Sequence, residues 1–201
     1  MSLSFDLNDE QKEFLSRQAS QAIETVFAGD SNARPSKPPQ VPANSVLERN
    51  LGSFVTLELA GNLRGCIGTI VAREPLYLNV WNMARAAAFN DPRFPPLTAA
   101  EWKRASVEIS VLDEPSMCPD VNQIVIGRDG LILTYQGRSG VFLPQVPVEQ
   151  GWNLQQYLDH LCMKAGVAPG SWKKPGAVIY WYQALVFPAN KVSGDDGPAR
   201  K

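Results

Sequence analysis

The sequence predicts an α+β fold in which a mostly antiparallel sheet is flanked by helices. Runs of alternating apolar and polar residues occur in pairs separated by short turns, which is the pattern of β-hairpins. Segments with helical spacing do not alternate regularly with these strands, so a doubly wound parallel sheet is disfavoured. With 201 residues, the chain fits one domain that has room for two lobes.

The composition is that of an ordinary globular protein and argues against several functional classes. Hydrophobic residues make up 44% of the chain, charged residues 19%, and the formal net charge is -1. Without a basic face, nucleic-acid binding is not expected. We see neither an apolar run near the roughly 20 residues of a membrane span nor a secretory signal. Three cysteines without a C-x-x-C pair are expected as reduced thiols of a cytoplasmic protein.

The N-terminal region predicts a long amphipathic helix followed by a loop. The helix is expected over residues 8–28, because apolar residues recur there at helical spacing and Gly29 follows. Asn8 and Gln11 can form a capping box at its start. Residues 30–45 contain four prolines and little apolar surface, which indicates a loop laid over the surface.

A hairpin and two further helices are predicted next. Strands at 53–59 and 63–70 alternate in polarity and are joined by a turn at 60–62. A helix over 75–89 begins at a proline, which suits a first helical turn. A capping box then predicts a very short helix at 98–102.

The C-terminal half predicts a strand from Ala105 and two further hairpins. In the first strand, Val107 and Ile109 alternate with Glu108, which faces the opposite way. The remaining strands are expected at about 123–127, 131–136 and 140–144, with turns at 128–130 and 137–139.

A helix, a central strand and a tail complete the predicted elements. Asn153 can cap a helix that ends at residue 164. Residues 177–187 are apolar on both faces and predict one central strand. The polar tail at 189–201 is expected to be flexible, which leaves 1–188 as the domain.

The segment Leu63–Thr69 (LRGCIGT) carries the strongest candidate for chemistry. Side chains alternate along a strand, so Arg64 and Cys66 are expected on one face, about 6.6 Å apart along the strand. A cation beside a thiol favours the reactive thiolate. Gly65 and Gly68 weaken the strand and indicate close approach of a ligand or another backbone. Alternatively, Cys66 is a small buried hydrophobe and the glycines mark a bulge.

A nucleophilic cysteine usually needs a base, and three candidates stay open. His160, the single histidine, lies off the apolar stripe of its helix and is expected at the boundary or exposed. A dyad with Cys66 would require the two to meet in space. Glu108 and Asp91 are equally open as carboxylate bases. The alternative for Glu108 is a solvated sheet face.

Two proline-containing loops are candidates for ligand binding. Residues 91–96 (DPRFPP) form a stiff loop with opposite charges two residues apart. The alternative is a helix stop with local pairing. The loop at 143–152 presents Gln145 and Glu149, or it is a structured connector.

The sequence predicts neither a metal site nor a bound cofactor. The spacing of its cysteines and histidine matches no zinc pattern. The phosphate-binding P-loop, the dinucleotide fingerprint and the serine nucleophile elbow are all lacking.

LRGCIG at 63–68 resembles the signature of the AMMECR domain family, and the similarity extends from about residue 5 to 187 in the stand-alone microbial form. The supporting segments are AAFNDPRFPPL (87–97), VEISVL (107–112), GRDGLIL (127–133), GRSGVFLPQVPVE (137–149) and HLCMKAG (160–166). The resemblance implies an α+β fold of two unequal lobes with a cleft near the LRGCIG strand. It implies no assigned biochemical activity.

The resemblance also implies partners and site residues. Microbial members are associated with a Memo-like protein and a radical S-adenosylmethionine enzyme. The resemblance places Arg64, Gly65, Cys66 and Gly68 in the family's signature, Asp91, Arg93 and Phe94 in its second motif, and Gln145 and Glu149 in its third. Together with the residues argued from the sequence itself, the candidate catalytic residues are Cys66, Arg64, Glu108 and His160, and the candidate ligand-binding residues are Gly65, Gly68, Thr69, Asp91, Arg93, Phe94, Gln145 and Glu149. Two functions stay open: a cleft-binding or accessory component that works with those partners, or an enzyme that uses Cys66 as a thiolate nucleophile or redox thiol on a small anionic substrate.

Overall fold

A computed structural model describes residues 3–30, 32–38 and 45–189. Its elements in chain order are α1 (Asp9–Phe27), β1 (Ser53–Leu59), β2 (Asn62–Thr69), α2 (Leu76–Phe89), α3 (Ala99–Trp102), β3 (Ser106–Leu112), β4 (Ser116–Met117), β5 (Gly130–Tyr135), β6 (Arg138–Phe142), α4 (Val146–Glu149), α5 (Leu154–Lys164), β7 (Val178–Tyr182) and β8 (Ala184–Ala189). The strands form two four-stranded sheets, ordered β2-β1-β3-β8 and β4-β7-β5-β6. The predicted α+β fold with antiparallel sheets is confirmed.

The described residues form two compact units. The N-terminal unit comprises those from 5 to 111 together with 186–189, and the C-terminal unit comprises 3–4 and 112–185. Each unit contains one of the two sheets, although the chain passes from one unit to the other within β3 and again within β8.

In the N-terminal unit, the predicted helices form where the sequence places their caps. The Asn8 side chain accepts from the Gln11 amide at 2.9 Å, and the Gln11 side chain accepts in return from the Asn8 amide. Pro75 precedes α2, and Thr98 caps α3. These short-range hydrogen bonds satisfy amides that a helix start leaves unpaired, so the sequence alone predicts them.

One face of the N-terminal sheet is covered by α2, which packs on β1 and β2, and α1 packs on α2 in turn. The inward residues of β1 and β3, such as Val55, Leu57 and Ile109, are fully buried. Because side chains alternate, Thr56 and Glu108 face away from α2. This second face carries the candidate site.

The C-terminal unit has its own apolar core beneath α5, which packs on β5 and β6. Asn153 caps α5 with a capping box, as predicted. The largest buried side chains of this core include Leu131, Leu133, Tyr157, Leu161 and Trp181.

The strand predicted at 123–127 is wrong. The chain there forms a 3₁₀ turn (Val121–Gln123) and an irregular turn that leads into β5. The fully buried Asp129 accepts from the Val125 amide at 2.8 Å and from the Arg128 guanidinium at 2.7 Å. Such side-chain bonds to the local backbone compete with a strand ladder. Residues 128–130 are therefore not a hairpin turn.

The single strand predicted at 177–187 is also wrong, because the chain forms β7 and β8 in two different sheets. They separate at Gln183, whose carbonyl accepts from the Asp113 amide at 2.8 Å.

The hairpin turns are tighter than predicted, at Ala60–Gly61 and at Gln136–Gly137. All four of these residues have a positive φ, which two-residue hairpin turns of this kind require.

Two predictions fall wholly or partly on residues that the structure does not describe. Within the loop predicted at 30–45, residues 31 and 39–44 lie outside the described residues. In the predicted tail, Ala189 is the last residue of β8, and 190–201 lie outside the described part.

Candidate functional site

A bulge in β2 determines which way the LRGCIG side chains point. Gly65 pairs with Leu57 of β1, whereas Leu63 pairs with Glu58, so Arg64 is an extra residue in the ladder. The bulge breaks the simple alternation expected from the sequence. Leu63 therefore shares its face with Cys66 rather than with Gly65. Arg64 is not paired with a residue of β1.

The Arg64 guanidinium is bound to Glu101 of α3 rather than held for the thiol. Its Nε and Nη2 donate to the two carboxylate oxygens at 3.0 and 3.1 Å, and Nη2 also donates to the Pro96 carbonyl at 3.4 Å. Arg64 is only 8% exposed. Its hydrogen bonds lower the pKa of Glu101 to about 2. This bidentate pair joins β2 to α3 and neutralises the cation that the sequence analysis assigned to Cys66.

The Asp91–Arg93 pair binds the backbone of Cys66 instead. The Cys66 amide donates to the Asp91 carboxylate at 2.9 Å, and Arg93 Nη2 donates to the Cys66 carbonyl at 3.2 Å. Arg93 also donates to both Asp91 oxygens, at 3.0 and 2.7 Å. Because β2 is an edge strand, the two side chains take the place of a neighbouring strand at this residue.

Asp91 and Arg93 each stabilise the charged form of the other. Hydrogen bonds from Arg93 hold the pKa of the buried Asp91 carboxyl well below its usual range, although burial opposes this. The pKa of Arg93 is raised, mainly by its hydrogen bonds to Asp91 and also by the charge of that carboxylate, although burial opposes this. The half-buried Phe94 lies beside both Arg64 and Arg93, whose guanidinium carbons are 5.8 and 5.5 Å from its ring centre. Arg93 is thus the guanidinium that lies against Cys66.

Cys66 itself is half-buried on the sheet face that points away from α2. The Thr56 hydroxyl donates to its sulfur at 3.3 Å. In the ladder, Thr56 is paired with Cys66 on one side and with Glu108 on the other. Directly paired residues of neighbouring strands point to the same face, so Cys66, Thr56 and the exposed Glu108 form a row across β2, β1 and β3.

The two glycines of the motif are required by close packing of protein atoms. A Cβ on Gly65 would lie 2.2 Å from the Ala87 carbonyl oxygen of α2. A Cβ on Gly68 would lie 2.2 Å from the Phe54 ring and 2.5 Å from the Ser53 carbonyl oxygen. Close approach of another part of the protein accounts for both positions. The bulge that the alternative predicted is also present, at Arg64 beside Gly65.

Thr69 has a local structural contact. Its hydroxyl donates to the Val71 carbonyl at 3.0 Å, just beyond the end of β2. This bond helps to turn the chain away from the sheet edge.

The remaining candidates belong to the C-terminal unit. The half-buried ring of His160 stacks on Trp152, with ring centres 4.0 Å apart and planes 6° from parallel. Gln145 precedes the one-turn helix α4, and the exposed Glu149 ends it. Cys66, by contrast, lies in the N-terminal unit, so the structure brings Cys66 and Glu108 onto one sheet face but places His160, Gln145 and Glu149 in the other unit.

Thr56 and Glu101 are site residues that the sequence analysis did not assign. Thr56 sits on the polar side of an alternating strand, a signal that many surface residues share. Glu101 was predicted only as the partner of Thr98 in a capping box; its carboxylate serves both that cap and Arg64. Contacts between residues 37 positions apart depend on the fold and leave no local pattern.

Neither a metal centre nor a membrane-spanning helix is found in the residues that the structure describes. Groups of three or more histidine, cysteine or acidic side chains able to hold a metal ion are absent from that part of the chain. None of the helices there is both long enough and apolar enough to cross a membrane.

Comparison with known proteins relates the chain to one family. Residues 16–187 match the family model described as AMMECR1. Protein MJ0810 of Methanocaldococcus jannaschii is 39% identical over 186 residues, covering 89% of this chain and 90% of that protein. Protein MK0488 of Methanopyrus kandleri is 38% identical, covering 96% and 93%. The crystal structure of the uncharacterised protein PH0010 from Pyrococcus horikoshii is 36% identical, with a TM-score of 0.79, and the match covers 92% of this chain and 94% of that one.

Proposed function

The chain belongs to the AMMECR1 family, and we propose that it works as a binding or accessory component rather than as an enzyme complete in itself. The partners that we propose are a Memo-like protein and a radical S-adenosylmethionine enzyme, in the cytoplasm. The surface that we propose for binding is the site face, the side of the N-terminal sheet that carries Cys66, Thr56 and Glu108.

One observation carries this proposal: the charged side chains of the LRGCIG and DPRF segments are engaged in ion pairs and hydrogen bonds within the protein. Arg64 is paired with Glu101, and Asp91 with Arg93 and the Cys66 amide. A general base must lie within hydrogen-bond reach of the proton that it removes. The polar group that reaches the Cys66 sulfur is the Thr56 hydroxyl, which is not a base at neutral pH. These contacts build a rigid, well-defined surface and favour recognition over catalysis.

Co-purification tests the accessory function. The chain and the two proposed partners would be produced together and isolated under reducing, anaerobic conditions. We expect the tagged chain to retain at least one partner. Glu108→Lys, which reverses an exposed charge on the site face, should lower the recovered partner about tenfold, because unlike charges across an interface guide association and like charges oppose it.

The matched control is Glu114→Lys, which reverses an exposed acid in the C-terminal unit. This variant should retain the partner. Absence of any complex with the unchanged chain would contradict the proposed function. Equal recovery with both variants would show that the site face is not the contact surface.

A second function is favoured by the row of Cys66, Thr56 and Glu108. Here Cys66 would act as a thiolate nucleophile or redox thiol on a small anionic substrate, which Arg93 would attract. Arg93 is positioned for this because its side chain is 53% exposed while it contacts the Cys66 carbonyl. A neighbouring cation favours the thiolate over the thiol.

Alkylation with iodoacetamide, followed by peptide mass spectrometry, tests this second function. Cys66 should be labelled faster than Cys162, which is fully buried and serves as an internal reference. Arg93→Gln should slow labelling of Cys66 near neutral pH, because the cation that stabilises a thiolate is removed. Glu114→Gln, at an exposed acid of the C-terminal unit, should not slow it. Labelling of Cys66 as slow as that of Cys162 would contradict thiol chemistry at this site.

A further inference from the structure

The C-terminal unit contains a cavity of about 300 Å³, and none of the LRGCIG residues is among those that line it. It lies between the β5–β6 turn and the segment that follows α5. The polar side chains that line it are two cations, Arg138 and Lys174, two hydroxyls, Tyr135 and Ser171, and the amide of Gln136. No carboxylate is among the residues that line it. The cavity is therefore positively charged and rich in hydrogen-bond donors.

The exposed Arg138 is held at the cavity wall by a hydrogen bond. Its Nη1 donates to the carbonyl oxygen of Gly166. Gly166 has a φ of +72°, and a Cβ there would lie 2.9 Å from Nη1. The absence of a side chain at Gly166 thus makes room for the guanidinium. Since a guanidinium has five N–H donors, this bond leaves donors for a ligand.

Ser171 supplies a hydroxyl to the cavity wall. The residue is only 2% exposed and is among the residues that line the cavity. A hydroxyl can donate a hydrogen bond to a ligand oxygen there. Tyr135 accepts from the Gln136 side chain at 3.3 Å, and its own O–H is free to donate into the cavity.

We propose that this cavity binds the phosphate group of a small phosphate monoester. A phosphate monoester carries a charge near −2 at neutral pH and three acceptor oxygens. Two cations match this charge, and the guanidinium fork matches the geometry of two phosphate oxygens. The two hydroxyls supply further donors. A volume of about 300 Å³ is at the small end of ligand sites and suits a phosphate with a short organic group.

The test is an NMR titration of the full chain, labelled with ¹⁵N, using glycerol 3-phosphate as the probe. We expect saturable shifts of the Gln136, Gly166 and Ser171 amides, with a dissociation constant in the millimolar range. Inorganic phosphate should shift the same amides, whereas glycerol alone should not. Arg138→Gln and Ser171→Ala should each weaken binding about tenfold, because each removes a donor to the phosphate.

Two further variants keep the outcome decisive. Lys174→Gln changes an exposed side chain, so it should leave the fold intact and also weaken binding. Lys173→Gln is the matched control, since its ammonium lies over the Trp172 ring, 4.7 Å from the centre, and the residue does not line the cavity. Shifts that do not saturate, or equal binding by Lys173→Gln and Lys174→Gln, would overturn the proposal. The Cys66→Ser variant should bind the probe with the same affinity as the unchanged chain. Failure of this proposal would therefore be distinguishable from failure of the proposed function.

Discussion

At the scale of single residues, Asp91 links the DPRF segment to the LRGCIG strand, because its carboxylate accepts from the Cys66 amide. The sequence left open whether 91–96 was a ligand loop or a locally paired helix stop. The bonds between Asp91 and Arg93 are that local pairing, two residues apart, and so could be anticipated. The bond from Cys66 could not, because it exists only where β2 lies at the edge of its sheet.

Glu101 gives the clearest pH prediction. Hydrogen bonds from Arg64 keep its pKa at about 2 in the folded protein, against an ordinary value of 4.5. Below pH 4.5, the unfolded chain therefore takes up a proton that the folded chain does not. Linkage requires that the free energy of unfolding falls as the pH drops from about 4.5 towards 2. Urea unfolding measured across this window should show the decrease.

Glu101→Gln should be less stable than the unchanged chain near neutral pH and should lose this part of the acid dependence. Glu114→Gln, at an exposed acid, serves as the control and should keep the full dependence. If Glu101→Gln retained the same slope between pH 4.5 and 2, the carboxylate–guanidinium pair would not stabilise the fold.

At the scale of elements, the sequence predicts best what is decided locally. The helices α1, α3 and α5 each begin with a capping box, which four consecutive residues encode. The break between β7 and β8 has no such signal, since an apolar run fits one strand or two equally well. The strand predicted at 123–127 failed because the buried Asp129 carboxylate organises that segment.

The contact between β2 and α2 depends on Gly65. A methyl group there would meet the Ala87 carbonyl oxygen at 2.2 Å, and the obstacle is helix backbone, which cannot rotate away. We expect Gly65→Ala to lower the free energy of unfolding by about 2–3 kcal/mol, the upper part of the usual range for overpacking. The measurement is the urea midpoint at constant slope.

Gly29→Ala is the comparison that separates crowding from backbone strain. Gly29 has a φ of +73° and no atom within 4 Å of an added Cβ, so this substitution adds strain without a clash. It should cost about 1 kcal/mol. Gly65→Ala must be the more destabilising of the two if the approach of α2 is as close as the structure describes. The reverse order would mean that α2 can shift to accommodate a methyl group.

At the scale of the whole molecule, the two units divide the chain at points that composition does not mark. Residues 112 and 185–186 lie within β3 and β8, not in a polar or glycine-rich linker. The sequence therefore could not locate the boundary between the two units. Each unit nevertheless has a sheet and a set of fully buried side chains of its own, so each contributes a separate core.

Paired core substitutions test whether these cores unfold separately. Leu57 of the N-terminal unit and Leu161 of the C-terminal unit are both fully buried. Leu57→Ala and Leu161→Ala should each lower the free energy of unfolding by about 2–5 kcal/mol, because each leaves a cavity.

Native-state hydrogen exchange then distinguishes the units. We expect Leu161→Ala to reduce amide protection in β5, β6 and β7 more than in β1 and β2, and Leu57→Ala to do the opposite. Separate cores open with separate free energies, whereas an equal loss throughout the protein for either variant would mean that both sheets unfold as one cooperative structure.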